Sequence, residues 1–119
     1  MLISPVASIV ATALAFLPTQ IGAVDIGPEL IEVAGMGHIR TIPCEGRRVE
    51  VQGTGHALTF TGVCSGLELS GANNFVTITL SPNAVLDISG SGQAVRWRSS
   101  GEPRQSLSGA NNSVVRVRD

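Results

Sequence analysis

The sequence predicts an all-β protein, a short parallel β-solenoid of about five coils of 18 or 19 residues each. Three observations carry that expectation. Glycines recur at Gly35, Gly53, Gly71, Gly90 and Gly109, spaced 18, 18, 19 and 19 residues apart, and self-similarity at a fixed period marks a repeat architecture. Each glycine closes a stretch that alternates apolar and polar residues, the pattern of a half-buried strand. The tetrapeptide Gly-Ala-Asn-Asn occurs twice, at Gly71 and at Gly109, each time ahead of a β-branched run. An antiparallel meander also uses alternation and turns, and stands as the alternative. A meander has no reason to keep its units at one length. In a parallel solenoid each strand must lie on its equivalent one coil earlier, about 4.8 Å away, so the length is constrained.

From the N-terminus, residues 1–23 carry no charge, and the apolar run from Val6 to Leu17 has the length of a signal-peptide core. Ile21-Gly22-Ala23 ends in a small residue, so removal of residues 1–23 by cleavage before Val24 is expected, leaving 24–119 as a single β-repeat domain. The segment lacks a basic start, and a buried or interfacial helix is the competing reading. A membrane span is not expected, because the run is too short and Pro18 interrupts its end.

The first unit is Ile31-Glu32-Val33-Ala34-Gly35 and the second Val49-Glu50-Val51-Gln52-Gly53. Val49 and Val51 point one way, Glu50 and Gln52 the other. After the turn Gly53-Thr54-Gly55-His56 the apolar phase resumes at Leu58 and Phe60, with Thr59 and Thr61 opposite. Leu67-Glu68-Leu69-Ser70-Gly71 and Leu86-Asp87-Ile88-Ser89-Gly90 repeat the first half, and Gln105-Ser106-Leu107-Ser108-Gly109 repeats it less well. The corner residues expected to shape the coil are Gly53, Gly71, Asn74, Gly90, Gly109 and Asn112. Glycine and asparagine tolerate the positive φ of a tight turn, and equivalent corner amides stacked between coils can also bond one another. The last unit breaks phase, since Arg116 falls where Ile78 and Trp97 sit. Either the final strand slips by one residue or the unit is a polar cap, and the cap is the preferred reading. Trp97 is expected to fill the end of the core, an exposed sugar-stacking role being the alternative.

Cys44 and Cys64 are the two cysteines. An even count in a small exported domain points to a disulfide, with free buried thiols as the alternative. Two thiolates are too few for a structural zinc site.

The segment 41–80, with Cys44, Arg47-Arg48-Val49, Gly53, Cys64 and Gly71-Ala72-Asn73-Asn74, resembles the exported actinobacterial proteins known as domain of unknown function 3060. The resemblance extends through Trp97, and His56 and Gln93 stand where that family usually has asparagine. It implies the β-repeat fold and export, and it brings no catalytic residue.

Chemistry is sparse. A formal net charge of −1, with arginine as the only strong base, gives no case for nucleic acid or an anionic membrane. His38 and His56 occupy equivalent corners and are expected to stack as solvated residues, short of a metal site. Glu32, Glu50, Glu68 and Asp87 form a column on one outward face, a cation ladder or a solvated face meeting Arg47 and Arg48. Thr59 with Thr61 and Thr77 with Thr79, then Arg96 with Arg98, form the other outward face and suit a glycan or simple strand packing. The glycine- and aspartate-rich motif of calcium-binding β-rolls is absent.

The expected function is that of a non-enzymatic exported β-solenoid, a structural or interaction module of the cell envelope or extracellular space. The alternative is a carbohydrate- or cation-binding module using the Thr/Arg face or the acidic column. A reduced relative of polysaccharide-cleaving β-helices would need more coils and a groove. No cofactor and no metal are expected, and the partner is expected in the envelope or outside the cell.

Overall fold

In the computed structural model, residues 22–118 are described; the expected leader falls almost entirely on residues 1–21, outside the described residues. Nine strands follow in chain order: β1 (Val24–Ile26), β2 (Leu30–Val33), β3 (Ile39–Pro43), β4 (Arg48–Val51), β5 (Ala57–Leu69), β6 (Phe75–Ile88), β7 (Ala94–Ser99), β8 (Arg104–Leu107) and β9 (Ser113–Arg116). There is no helix among the described residues. From β2 onward every pairing between strands is parallel.

The coils stack into two faces. One face runs β2, β4, the second half of β5, the second half of β6, then β8; the other runs β3, the first half of β5, the first half of β6, β7, then β9. Each strand lies on its equivalent 18 or 19 residues away, as in Glu32↔Glu50, Glu50↔Glu68 and Glu68↔Asp87. The parallel solenoid of about five turns is the fold, and the meander is excluded. One pairing departs from the repeat: β1 folds back antiparallel on β2, with Val24 opposite Val33. It lies upstream of the first repeat unit, so the period held no sign of it.

The inward residues form a continuous aliphatic stack. Val49, Leu67 and Leu86 repeat on one face and Leu58, Val76 and Val95 on the other, all buried. Few bulky residues suffice because the two faces are close and each coil supplies similar side chains. Trp97 is 4 % exposed and belongs to this core, so it is not a surface platform for a sugar. The final strand does not slip. Val114 stays opposite Val95 and Arg116 opposite Trp97, with the Arg116 guanidinium 5.1 Å from the Trp97 ring centroid. Glu102 holds that guanidinium at 2.7 Å. Arg116 therefore lies over the last aromatic ring as a polar cover, in keeping with the cap reading.

The second corner accounts for the change of period. The offset between β5 and β6 is 18 at Thr59↔Thr77, 16 at Cys64↔Leu80 and 19 at Leu67↔Leu86. The residues that β6 adds after Leu80 therefore outweigh a bulge in β5. Thr59 pairs with Thr77, but Val63 and not Thr61 pairs with Thr79, because β5 bulges at Gly62, where φ is 74°. Thr61 and Thr79 thus do not form the rung expected from the sequence. In the first coil the same corner is the tight reversal Cys44-Glu45-Gly46-Arg47, with positive φ at both central residues and the Arg47 N–H donating to the Cys44 carbonyl at 3.0 Å. Cys44 and Cys64 are disulfide-bonded across that corner, with Cα atoms 5.4 Å apart. The bond ties the first coil to the second, and free thiols are excluded.

Candidate functional site

The corner that follows each repeat glycine holds a buried polar column. Its rungs are His38, His56, Asn74, Gln93 and Asn112, each three residues after its glycine. His38, His56, Asn74 and Gln93 are buried, at 6 %, 1 %, 1 % and 1 % exposure. Each rung donates to the carbonyl four residues earlier: His38 Nε2 to Ala34 at 3.1 Å, His56 Nε2 to Gln52 at 3.0 Å, and Asn74 Nδ2 to Ser70 at 3.3 Å. Gln93 Nε2 and Asn112 Nδ2 do the same to Ser89 and Ser108, both at 2.8 Å. Each rung after His38 also accepts from the backbone N–H of the rung before it. His56 Nδ1 accepts from His38 at 3.1 Å, Asn74 Oδ1 from His56 at 2.9 Å, Gln93 Oε1 from Asn74 at 3.2 Å, and Asn112 Oδ1 from Gln93 at 2.9 Å.

The chemistry explains why three residue types share one column. A coil corner leaves one backbone N–H and one carbonyl that sheet pairing does not serve, and a buried group of that kind must find a partner. Asparagine and glutamine offer an acceptor and a donor on one amide, and a neutral imidazole offers the same pair on its two nitrogens. His56 is thereby held as the Nε2–H form. Its ring stacks on that of His38 with centroids 5.2 Å apart. The stacking follows the sequence expectation, but the histidines are buried rungs and not solvated corners.

Two further corrections belong here. At the Gly-Ala-Asn-Asn corners the left-handed asparagines are Asn73 and Asn111, at φ 58° and 59°, not Asn74 and Asn112. Asn74 and Asn112 instead turn inward, and their amides meet backbone groups of the neighbouring coil, not each other. The signal for this column was present in the sequence, as a donor-and-acceptor side chain three residues after every repeat glycine.

Removing a rung leaves a buried N–H and a carbonyl without partners, at a cost of about 1–3 kcal/mol. Asn74→Ala is expected to lower stability by about 2 kcal/mol in denaturant titration. Asn112→Ala, in the last coil and partly exposed, is expected to cost about half of that. Equal losses at the two positions would contradict the ladder.

Burial pushes the pKa of His56 below its ordinary value of 6.5, helped by the positive charge that His38 can carry and opposed by the bond to Gln52. Protonation would also place a second N–H against the His38 N–H. Because folding lowers this pKa, the stability it contributes is complete above the unfolded value and is lost as pH falls through the folded value. The melting temperature is therefore expected to drop between pH 7 and pH 5, and His56→Asn, which keeps donor and acceptor without a titrating group, is expected to flatten that drop. An unchanged acid slope in His56→Asn would remove His56 as its source.

The outward rows are regular. Glu32, Glu50, Glu68 and Asp87 are in register, and Asp25 of β1 joins them opposite Glu32. Glu50, Glu68 and Asp87 line one shallow groove with Gln52, Ser70 and Ser89. Arg48 bridges two of these carboxylates, Glu50 at 2.9 Å and Glu68 at 3.6 Å. Arg47 does not reach the column and instead meets Glu45 at 3.5 Å. On the other face Thr41, Thr59, Thr77 and Arg96 are in register, while Thr79 faces Arg98. Thr41 was missed in the sequence because its own coil places Pro43 where a second threonine would stand. No group of three or more His, Cys, Asp or Glu side chains among the described residues is arranged to hold a metal ion.

No helix among the described residues is long and apolar enough to cross a membrane. No curated protein and no solved structure matches the chain. A family model, described as Protein of unknown function (DUF3060), matches residues 51–111, which span the coils with the clearest ladder. The chain belongs to that DUF3060 family.

Proposed function

We propose that the protein is exported and serves, without catalysing a reaction, as a structural or interaction module of the cell envelope or extracellular space. The observation that carries this reading is the use of its chemistry-bearing side chains. Both histidines and the buried amides are engaged in holding the backbone of the ladder, and what faces outward is rows of like residues one coil apart. Rows on a rigid stack suit the recognition of an extended surface. The Cys44–Cys64 bond supports export, since such bonds persist in oxidising compartments. The first strand opens at Val24, the residue that cleavage after residue 23 would make the N-terminus.

The test is to fractionate producing cells and sequence the N-terminus of the recovered protein, then use it to capture envelope material. The reading predicts Val24 as the first residue and recovery outside the cytoplasm. Intact Met1 on cytoplasmic protein would overturn it.

A second reading, cation binding by the acidic column, draws on the shared groove of Glu50, Glu68 and Asp87. Arg48, sitting between two of these carboxylates, favours the first reading. A ligand bound only by the folded state raises the melting temperature, and millimolar calcium is expected to leave it nearly unchanged. A rise of more than about 5 °C that vanishes in Glu68→Gln would favour the cation instead.

A further inference from the structure

The two faces of the stack divide the charge between them. Glu32, Glu50, Glu68 and Asp87 stand on one. On the other, β3, β7, β9 and the first halves of β5 and β6 contain no carboxylate. We infer that this second face binds an acidic glycan chain, with Arg96 and Arg98 receiving its acid groups and Phe75 one of its sugar rings. The inference deepens the interaction reading above by naming the chemistry of the partner.

Three features lie along one line. Phe75, Thr77 and Thr79 are alternate residues of β6 and point outward together. Phe75 is 43 % exposed, although β6 is paired on both sides. Its neighbours in register are Ala57 and Ala94. Neither is large enough to shield the ring, which stands above the sheet as a flat apolar platform. Beyond it come the rung of Thr59, Thr77 and Arg96 and the rung of Val63, Thr79 and Arg98. The strand covers about 13 Å from Phe75 to Thr79, which suits an extended chain better than one small molecule.

At the second corner this face opens into a hollow of about 270 Å³. Ligand pockets begin at about 300 Å³, so the hollow seats part of a chain and not a whole ligand. Val63 and Pro82 give it apolar patches, and Thr79, Ser81, Arg98 and Ser100 its polar groups. The hydroxyls of Thr79, Ser81 and Ser100 are uncommitted among the described residues. The bulge at Gly62 shapes the hollow by bringing Val63, not Thr61, beside Thr79. Its walls are braced by neighbouring coils. The Gly46 N–H donates to the Val63 carbonyl at 2.8 Å, and Gly101 packs so closely on Pro82 that an added Cβ would lie 2.8 Å from the proline Cβ.

Charge and hydroxyls together select the occupant. A guanidinium takes a carboxylate or a phosphate through two parallel hydrogen bonds, and Arg96 and Arg98 are both exposed. Threonine and serine hydroxyls donate and accept at once, as do the hydroxyls of a sugar. An acidic peptide satisfies the arginines, but a sugar chain also presents hydroxyls at every ring to match this surface. Nucleic acid binding draws its affinity from many phosphate contacts, and two arginines on a chain of formal net charge −1 supply few.

The experiment is titration calorimetry on the oxidised protein in about 0.1 M salt, where charges more than about 10 Å away are largely screened. The probes are a short oligogalacturonate, its methyl ester, a phosphorylated mannan oligosaccharide and an oligoglutamate of matching charge. At least one acidic glycan is expected to bind, and the tighter of the two tells whether carboxylate or phosphate is the acid recognised. The methyl ester and the oligoglutamate are expected to bind at least about tenfold more weakly. Arg96→Gln combined with Arg98→Gln is expected to weaken glycan binding at least about tenfold. Phe75→Leu, which keeps an apolar side chain without the ring, should weaken it about fivefold. Arg104→Gln, an exposed position on the opposite face, is expected to change it by less than about twofold. Circular dichroism and thermal melting check the fold of each variant, and the arginine variants decide the matter if Phe75→Leu does not fold. Binding of neither acidic glycan at millimolar concentration would overturn the inference while leaving capture of another envelope partner untouched. A methyl ester or an oligoglutamate that binds as well as the acidic glycan would also overturn it. So would an affinity that Arg104→Gln lowers as much as the double arginine variant.

Discussion

Gly71→Ala is expected to be the most damaging single substitution in the chain, lowering stability by about 3–5 kcal/mol, near the top of the range for point mutants. A Cβ on Gly71 would overlap the carbonyl oxygen of Gly53 in the coil below and lie 2.9 Å from both its carbonyl carbon and its amide nitrogen. All three atoms are backbone, so no side chain can move aside. The backbone at Gly71 also sits at φ 107°, which side chains with a Cβ rarely adopt. Gly90 and Gly109 repeat the contact on the glycine beneath them. The corners stack so closely that glycine is the only residue that fits, which is why the period is written in glycine. Gly55→Ala is the control. Its φ is 73°, but a Cβ there meets nothing within 4 Å, so the cost is conformational only, about 1–2 kcal/mol. Thermal melting checks both, with Gly71→Ala expected to fall by more than about 12 °C and Gly55→Ala by less than half of that. Similar losses at the two sites would mean that close stacking is not what fixes the glycine.

The second large effect is loss of the disulfide. Cys44 and Cys64 are 20 residues apart, and in the chain-entropy model a closed loop of that size is worth about 3 kcal/mol. The bond spans two adjacent coils near the N-terminal end, where each coil has fewer neighbours to hold it. The double variant Cys44→Ala with Cys64→Ala is expected to melt about 10 °C or more below the oxidised parent. Adding a reductant to the parent is expected to bring it down to the variant. If the oxidised parent and the variant melt together, the bond has no structural role.

Much of the fold was legible because a solenoid writes itself in one dimension. The alternation at Val49 and Val51, repeated at Leu67 and Leu69 and at Leu86 and Ile88, fixed which side chains face inward. The glycine spacing then fixed the register that superposes Glu32, Glu50, Glu68 and Asp87. What escaped falls where the period is locally broken. β1 lies ahead of the first unit and pairs antiparallel. The bulge at Gly62 displaces Thr61 from the threonine rung, because a bulge adds residues without altering the alternation on either side. The ladder was misread for a different reason. Histidine at a corner resembles a solvated residue when judged alone, and only its equivalence to Asn74 and Gln93 shows that its two nitrogens replace an amide. Arg116 was legible as out of phase, but its place over Trp97 depends on Glu102 across the second corner, a contact no pattern encodes.

The central claim is that parallel coils stack in register through the core and the polar ladder. Through-space proton contacts measured by nuclear magnetic resonance on the oxidised protein test it most directly. The account predicts contacts between methyl groups of Val49, Leu67 and Leu86 in succession, and between the His56 amide proton and Asn74. Outside the bulged second corner of β5, partners should differ by 18 or 19 in residue number, matching the strand registers. Contacts in which partner numbers instead keep a constant sum about each Gly-Ala-Asn-Asn corner, as hairpins require, would contradict it.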